Sequence, residues 1–197
     1  LYDMARALVG HWPGGLASAT VVGCAGFAAV SGSSLASAVT MGLVALPEMQ
    51  RYNYDNRLAT GSIAAGGTLG ILIPPSAGFV IYAILTEESI GRLFMAGVLP
   101  GIMLSGLFIL AIWIKVKINP EIAPASATML PLSRRIASIG QASWIIGIIV
   151  VTIGGIYGGV FDAVEAAAIG AFLSFLVCII RGKARWVDIK EAIAHTL

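Results

Sequence analysis

Gly66-Gly67-Thr68-Leu69-Gly70-Ile71-Leu72-Ile73-Pro74-Pro75-Ser76 sits inside an uncharged run, residues 58–86. About 20 apolar residues cross a bilayer as one helix. A run of this length suits two half-helices joined by an unwound segment. Pro74 and Pro75 remove two N–H donors and free carbonyls one turn earlier, while Gly66, Gly67 and Gly70 let the backbone turn aside. A simple kink needs one proline, not three glycines and a diproline. Hydrocarbon supplies no hydrogen bonds, so each opened peptide group costs several kcal/mol unless something satisfies it. Helices broken at membrane depth therefore line a cavity or an ion site, which points to transport.

A second interruption lies upstream. Residues 12–47 hold no Asp, Glu, Lys or Arg, yet carry Ser31-Gly32-Ser33-Ser34 near their middle. The two arms outside that tip average about 16 residues, or about 24 Å as helix. That is short for a full crossing, so we read a re-entrant hairpin, with two short spans as the alternative. A tip of small residues turns carbonyls and hydroxyls inward, the neutral oxygens that a hard cation such as sodium takes. The N–H groups opening the next half-helix suit an anion. Close helix packing through Ser, Gly and Ala explains the same composition. Two breaks in neighbouring segments favour the site.

The chain has 58% hydrophobic and 11% charged residues, too little polar surface for an ordinary soluble domain of 197 residues. We expect an all-α polytopic membrane protein. Its segments are an amphipathic interfacial stretch (1–11), the hairpin (12–47), a cytoplasmic loop (48–57) and the broken helix (58–86). Spans at 93–114, 136–161 and 163–180 follow, with a proline-bearing cytoplasmic connector (115–135) and a basic, amphipathic cytoplasmic end (181–197). With Arg181, Lys183 and Arg185 inside, eleven of the twelve basic residues fall in the cytoplasm, Arg92 being the exception. This is the positive-inside bias, and both hairpin readings share it. Asp162 and Glu165 have capping-box spacing, so Glu165 reads as a helix-start residue. The amphipathic ends, and a start without Met, read as an internal piece of a larger membrane protein.

Other chemistries fare badly. Cys24 and Cys178 lie in apolar runs without metal-ligand spacing, and read as small buried hydrophobes. No phosphate-binding G-x-x-x-x-G-K-[ST] occurs, and no basic stripe suggests nucleic acid. Ser31 has no buried histidine to act as base, since His11 and His195 lie in the flanking segments. We therefore expect no enzyme activity. Two rivals stay open: an ion channel with a re-entrant pore segment, and a helical scaffold subunit built on Gly97-x-x-x-Gly101 and Gly154-x-x-x-Gly158.

Ser31-Gly32-Ser33, Pro47 with Met49, Tyr54-Asp55 and Gly70-Ile71-Leu72-Ile73-Pro74-Pro75-Ser76 form an ordered series. Phe79-Val80-Ile81-Tyr82, Ser89-Ile90-Gly91, Leu93-Phe94, Ala96-Gly97 and Pro100-Gly101 continue it, through Gly158-Gly159-Val160-Phe161 and Glu165-Ala166-Ala167-Ala168. The series resembles the large membrane subunit of tripartite ATP-independent periplasmic (TRAP) transporters, over nearly the whole chain. The resemblance implies about half of such a subunit, without its first helices and most of its second inverted repeat. It implies a sodium-coupled, elevator-type importer of an organic acid in a bacterial or archaeal inner membrane. A periplasmic substrate-binding protein would deliver the acid, and a small membrane subunit would buttress the scaffold. By position, Na+ would be held by Ser31, with Ser33 or Ser34, from the tip, and by carbonyls of Gly70, Ile73 and Pro75. Substrate would approach Ser33, Thr68 and Ser76.

The chain departs from that family pattern twice. An acid often stands four residues after the last serine of the S-G-S motif, where this chain has Ser37. Asp162-Ala163-Val164 replaces Thr-Pro-Thr, a change that keeps an N-cap acceptor.

Overall fold

The computed structural model describes residues 2–9, 11–124 and 132–181. All regular structure among them is helical. The chain divides into two units, at residues 1–143 and 144–197.

In the first unit, α1 (Tyr2–Val9) leads into a hairpin of α2 (Gly15–Ser31) and α3 (Ser34–Arg51). α4 (Asn56–Leu72) and α5 (Ala77–Thr86) follow, then α6 (Ile90–Ile118) and a 3-10 turn at Pro120–Ile122. Punctuation in the sequence explains most boundaries. Gly14 and Gly32 both take left-handed backbone, at φ 71° and 62°, and so bracket α2. Asp55 caps α4 by accepting the N–H groups of Arg57 at 2.8 Å and Leu58 at 3.3 Å. The diproline ends α4, and residues 73–76 form a non-helical link to α5, with Ile73 and Ser76 extended and the Pro74–Pro75 peptide cis.

The core combines larger side chains, Leu16, Met49 and Leu69 among them, with small ones where the helices approach most closely. α2 buries Ala17, Ala19, Cys24 and Ala28 against α3 and α4. A Cβ on Gly66 would lie 2.8 Å from the Cys24 sulfur, and one on Gly67 would lie 2.7 Å from the Ala38 methyl. Such close backbone approach is the usual means of association where lipid removes the hydrophobic drive between helices. Large apolar side chains point outward instead: Leu35, Leu43, Ile84, Leu85, Leu99 and Ile102 are all exposed. The stretches Asn56–Thr86 and Ile90–Ile118 are long and apolar enough to cross a membrane.

One end of this unit carries Arg6, Arg57 and Lys115. Arg6 pairs with Glu48 and donates to the Tyr52 hydroxyl at 3.2 Å. Tyr54 accepts the Leu16 N–H at 3.3 Å, and Asp55 N–H donates to the Ile122 carbonyl at 2.8 Å. The start of α2, the end of α3, the start of α4 and the end of α6 thus meet, with Arg57 and Lys115 lining one groove there. The hairpin begins and finishes at this single end.

Several boundaries differ from the sequence reading. α3 runs through Pro47 to Arg51, leaving only residues 52–55 as the link to α4. An interior proline costs about 3 kcal/mol. Full burial of Met49 returns about 2 kcal/mol, and the Arg6–Glu48 pair pins the same turn. α6 is longer than 93–114 at both ends and continues through Pro100.

α7 (Leu132–Tyr157) starts before residue 136 and stops before 161, at Gly158-Gly159. The second unit holds the last turns of α7 and α8 (Ala163–Ile180). Gly159 is left-handed, and Phe161 folds onto Gly155. Asp162 accepts the N–H groups of Val164 and Glu165 at 2.8 Å, and Glu165 accepts the Asp162 N–H at 3.0 Å. That is a full capping box, as the spacing predicts. Residues 125–131 of the expected connector, and nearly all of the expected basic end, lie outside the described residues.

Candidate ion site

The two interruptions meet. The Gly32 carbonyl at the hairpin tip accepts the Ala77 N–H, the first of α5, at 3.3 Å. A Cβ on Gly32 would stand 2.6 Å from the Pro75 carbonyl oxygen. One on Gly70 would stand 2.7 Å from the Ser33 carbonyl carbon and oxygen and from the Ser34 nitrogen. Backbone therefore lies directly on backbone, with the tip beside the break in the middle of the Asn56–Thr86 stretch.

The break leaves particular oxygens without their helical donors. In a continuous helix Gly70 and Ile71 carbonyls would accept from residues 74 and 75, but proline has no N–H. The Ser76 hydroxyl takes the Ile71 carbonyl at 2.6 Å. The Ile73 carbonyl loses its helical donor too, because the Ala77 N–H is turned to Gly32. Of the carbonyls at the break, that of Pro75 lies directly against the tip at Gly32. Behind them Gly97 of α6 comes so close that a Cβ there would be 2.8 Å from the Leu72 carbonyl oxygen.

On the tip side, Ser33 caps α3, its hydroxyl accepting the Ala36 N–H at 3.3 Å. Ser31 and Ser34 are half-buried beside it. Ser31 contacts the Ser37 hydroxyl at 3.2 Å, and Ser37 donates to the Ser33 carbonyl at 2.8 Å. The site holds no charged side chain, so its electrostatics come from dipoles. The carbonyl ends of α2 and α4 favour a cation, and the N–H ends of α3 and α5 favour an anion.

Of the residues singled out in the sequence, Ile73 packs against Gly101 of α6 from the link beside the tip, while Ser31, Ser33, Ser34, Gly70 and Pro75 are brought to one place. Ser76 is there too, at 1% exposure, with its hydroxyl committed to Ile71. Thr68 stands apart: it is exposed, and its hydroxyl donates to Ala65 of its own helix at 2.6 Å. Ser37 belongs to the cluster but was not among the expected ligands. Its signal was the four-residue spacing from Ser33, which sets a helical hydroxyl against the N-cap carbonyl.

The family model described as "Tripartite ATP-independent periplasmic transporter, DctM component" matches residues 1–197. The C4-dicarboxylate TRAP transporter large permease protein DctM of Rhodobacter capsulatus is 41% identical over 195 residues, covering 91% of this chain and 43% of the relative. The protein of the same name from Pseudomonas aeruginosa is 43% identical over 181 residues, covering 91% and 41%. The ectoine TRAP transporter large permease protein TeaC of Halomonas elongata is 39% identical over 170 residues, covering 85% and 39%. The chain thus spans about two fifths of the length of these curated relatives. On these matches, the chain belongs to the DctM family, the large permease component of tripartite ATP-independent periplasmic transporters.

Proposed function

We propose that this chain forms the sodium-holding half of a secondary transporter that imports an organic acid. The observation that carries the reading is the contact between the hairpin tip and the α4–α5 break, which gathers neutral oxygens where the apolar stretch is interrupted. Na+ sits among the Ser31 hydroxyl and the carbonyls of Gly70, Ile73 and Pro75, with Ser33 and Ser34 closing the tip. The N–H ends of α3 and α5 point at the same region and suit a carboxylate, with Ser33 and Ser76 as substrate contacts; Thr68, which faces away from the tip, is left out of that set. The C4-dicarboxylate relatives support that substrate class.

The hairpin is re-entrant: both arms start at the basic end, and its tip stops beside the break. It is half of an inverted repeat that moves as an elevator in a bacterial or archaeal inner membrane. A periplasmic binding protein delivers the acid, and a small membrane subunit braces the scaffold. Sodium orders the tip against the break and so completes the substrate site, a coupling that is reciprocal by linkage. The membrane potential adds about 2.3 kcal/mol per charge per 100 mV.

The test is uptake by the full-length permease, reconstituted with its partners, against external sodium. Saturable sodium activation that weakens in Ser31→Ala supports the proposal. Sodium-independent uptake refutes the coupling, and single-channel currents refute the transporter class.

A further inference from the structure

Ser37 stands behind the tip, one turn into α3, at 0% exposure. Its N–H donates to the Ser33 carbonyl at 3.1 Å, and its hydroxyl donates to the same oxygen at 2.8 Å. A carbonyl has two lone pairs. Those of Ser33 are therefore both occupied from within the protein, while Gly70 presses on the carbonyl from α4. The Ser37 hydroxyl has one proton, already given to Ser33. It can only accept in its 3.2 Å contact with Ser31, so the Ser31 proton is spent inside the tip, on Ser37 or on the Ser33 carbonyl 3.5 Å away. The Ser33 N–H, 3.5 Å from the Ser31 oxygen, engages at most one further lone pair. One lone pair of Ser31 remains, with no proton left to oppose a cation.

We propose that Ser37 is a positioning residue for the ion site. It withdraws the Ser33 carbonyl from the coordinating set and turns the Ser31 hydroxyl to face the ion with a lone pair. This rests on the sodium reading above. It makes Ser31 the tip's side-chain ligand and gives Ser33 a structural carbonyl.

The experiment measures sodium activation of uptake by the full-length permease reconstituted with its partners. Ser37→Ala should raise the half-saturating sodium concentration about fivefold, the worth of one neutral hydrogen bond, with little change in Vmax. Ser37→Thr keeps the donor and should restore the value. Ser37→Cys, nearly isosteric but a weak donor, should fall between and serves if the alanine variant fails to fold. The double variant Ser31→Ala/Ser37→Ala should be no worse than Ser31→Ala, because Ser37 acts through Ser31. An unshifted half-saturation in Ser37→Ala and Ser37→Cys, or additive losses in the double variant, overturns the role of Ser37 and leaves sodium coupling standing. Sodium-independent uptake by the unsubstituted protein overturns both.

Discussion

Gly70→Ala is the most exposing single change at the site. Its new methyl would meet the Ser33 carbonyl carbon and oxygen and the Ser34 nitrogen, all at 2.7 Å. Those atoms are backbone, so no side chain can swing aside, and the tip must retreat by roughly half an ångström or more. Overpacking of this kind costs about 1–3 kcal/mol. If the tip meets the break in the sodium-bound state, that loss falls on binding and weakens sodium by about 5–150-fold. Gly61 is the matched control, on the same helix with nothing within 4 Å of its would-be Cβ. Gly61→Ala should be neutral or stabilising by up to about 1 kcal/mol through helix propensity. Sodium-dependent uptake and thermal unfolding with and without sodium measure both variants. Unchanged sodium half-saturation in a folded Gly70→Ala protein would refute the reasoning.

Ser76→Ala strips the Ile71 carbonyl of its 2.6 Å donor inside the protein, and should destabilise by about 1–3 kcal/mol, read as a lowered Tm. Asp162→Ala removes the α8 cap and should cost about 1 kcal/mol in stability while leaving sodium half-saturation unchanged, since the cap belongs to the second unit. Residues 12–47 contain no Asp, Glu, His, Lys or Arg, and neither do residues 58–86. Sodium half-saturation should therefore stay flat from about pH 6 to pH 8; a steep change would place a titrating group in the site.

The legible features were those written in local chemistry. A diproline after three glycines cannot continue a helix, and α4 stops there. Asp162 with Glu165 three residues on announces a capping box, and one forms. What escaped was decided by contacts distant in sequence. Pro47 reads as a stop, but Arg6 pairing with Glu48 and the burial of Met49 carry the helix past it. The family resemblance implies substrate near Thr68, yet the helix turns its hydroxyl onto its own Ala65 carbonyl. Ser37 stands in the sequence only as a departure from the family pattern, and its distances to Ser31 and Ser33 give it a place at the site. Helical phase and tertiary partners, not residue type, settled each case.

The most direct measurement is a density map of the full-length permease, recorded once in sodium and once in choline. Residues 73–76 should interrupt the helix in both. A compact peak should lie among the Ser31 hydroxyl and the carbonyls of Gly70, Ile73 and Pro75 in sodium and vanish in choline. A continuous helix from residue 56 to 86, or an unfilled tip with the sodium peak elsewhere, would contradict the account.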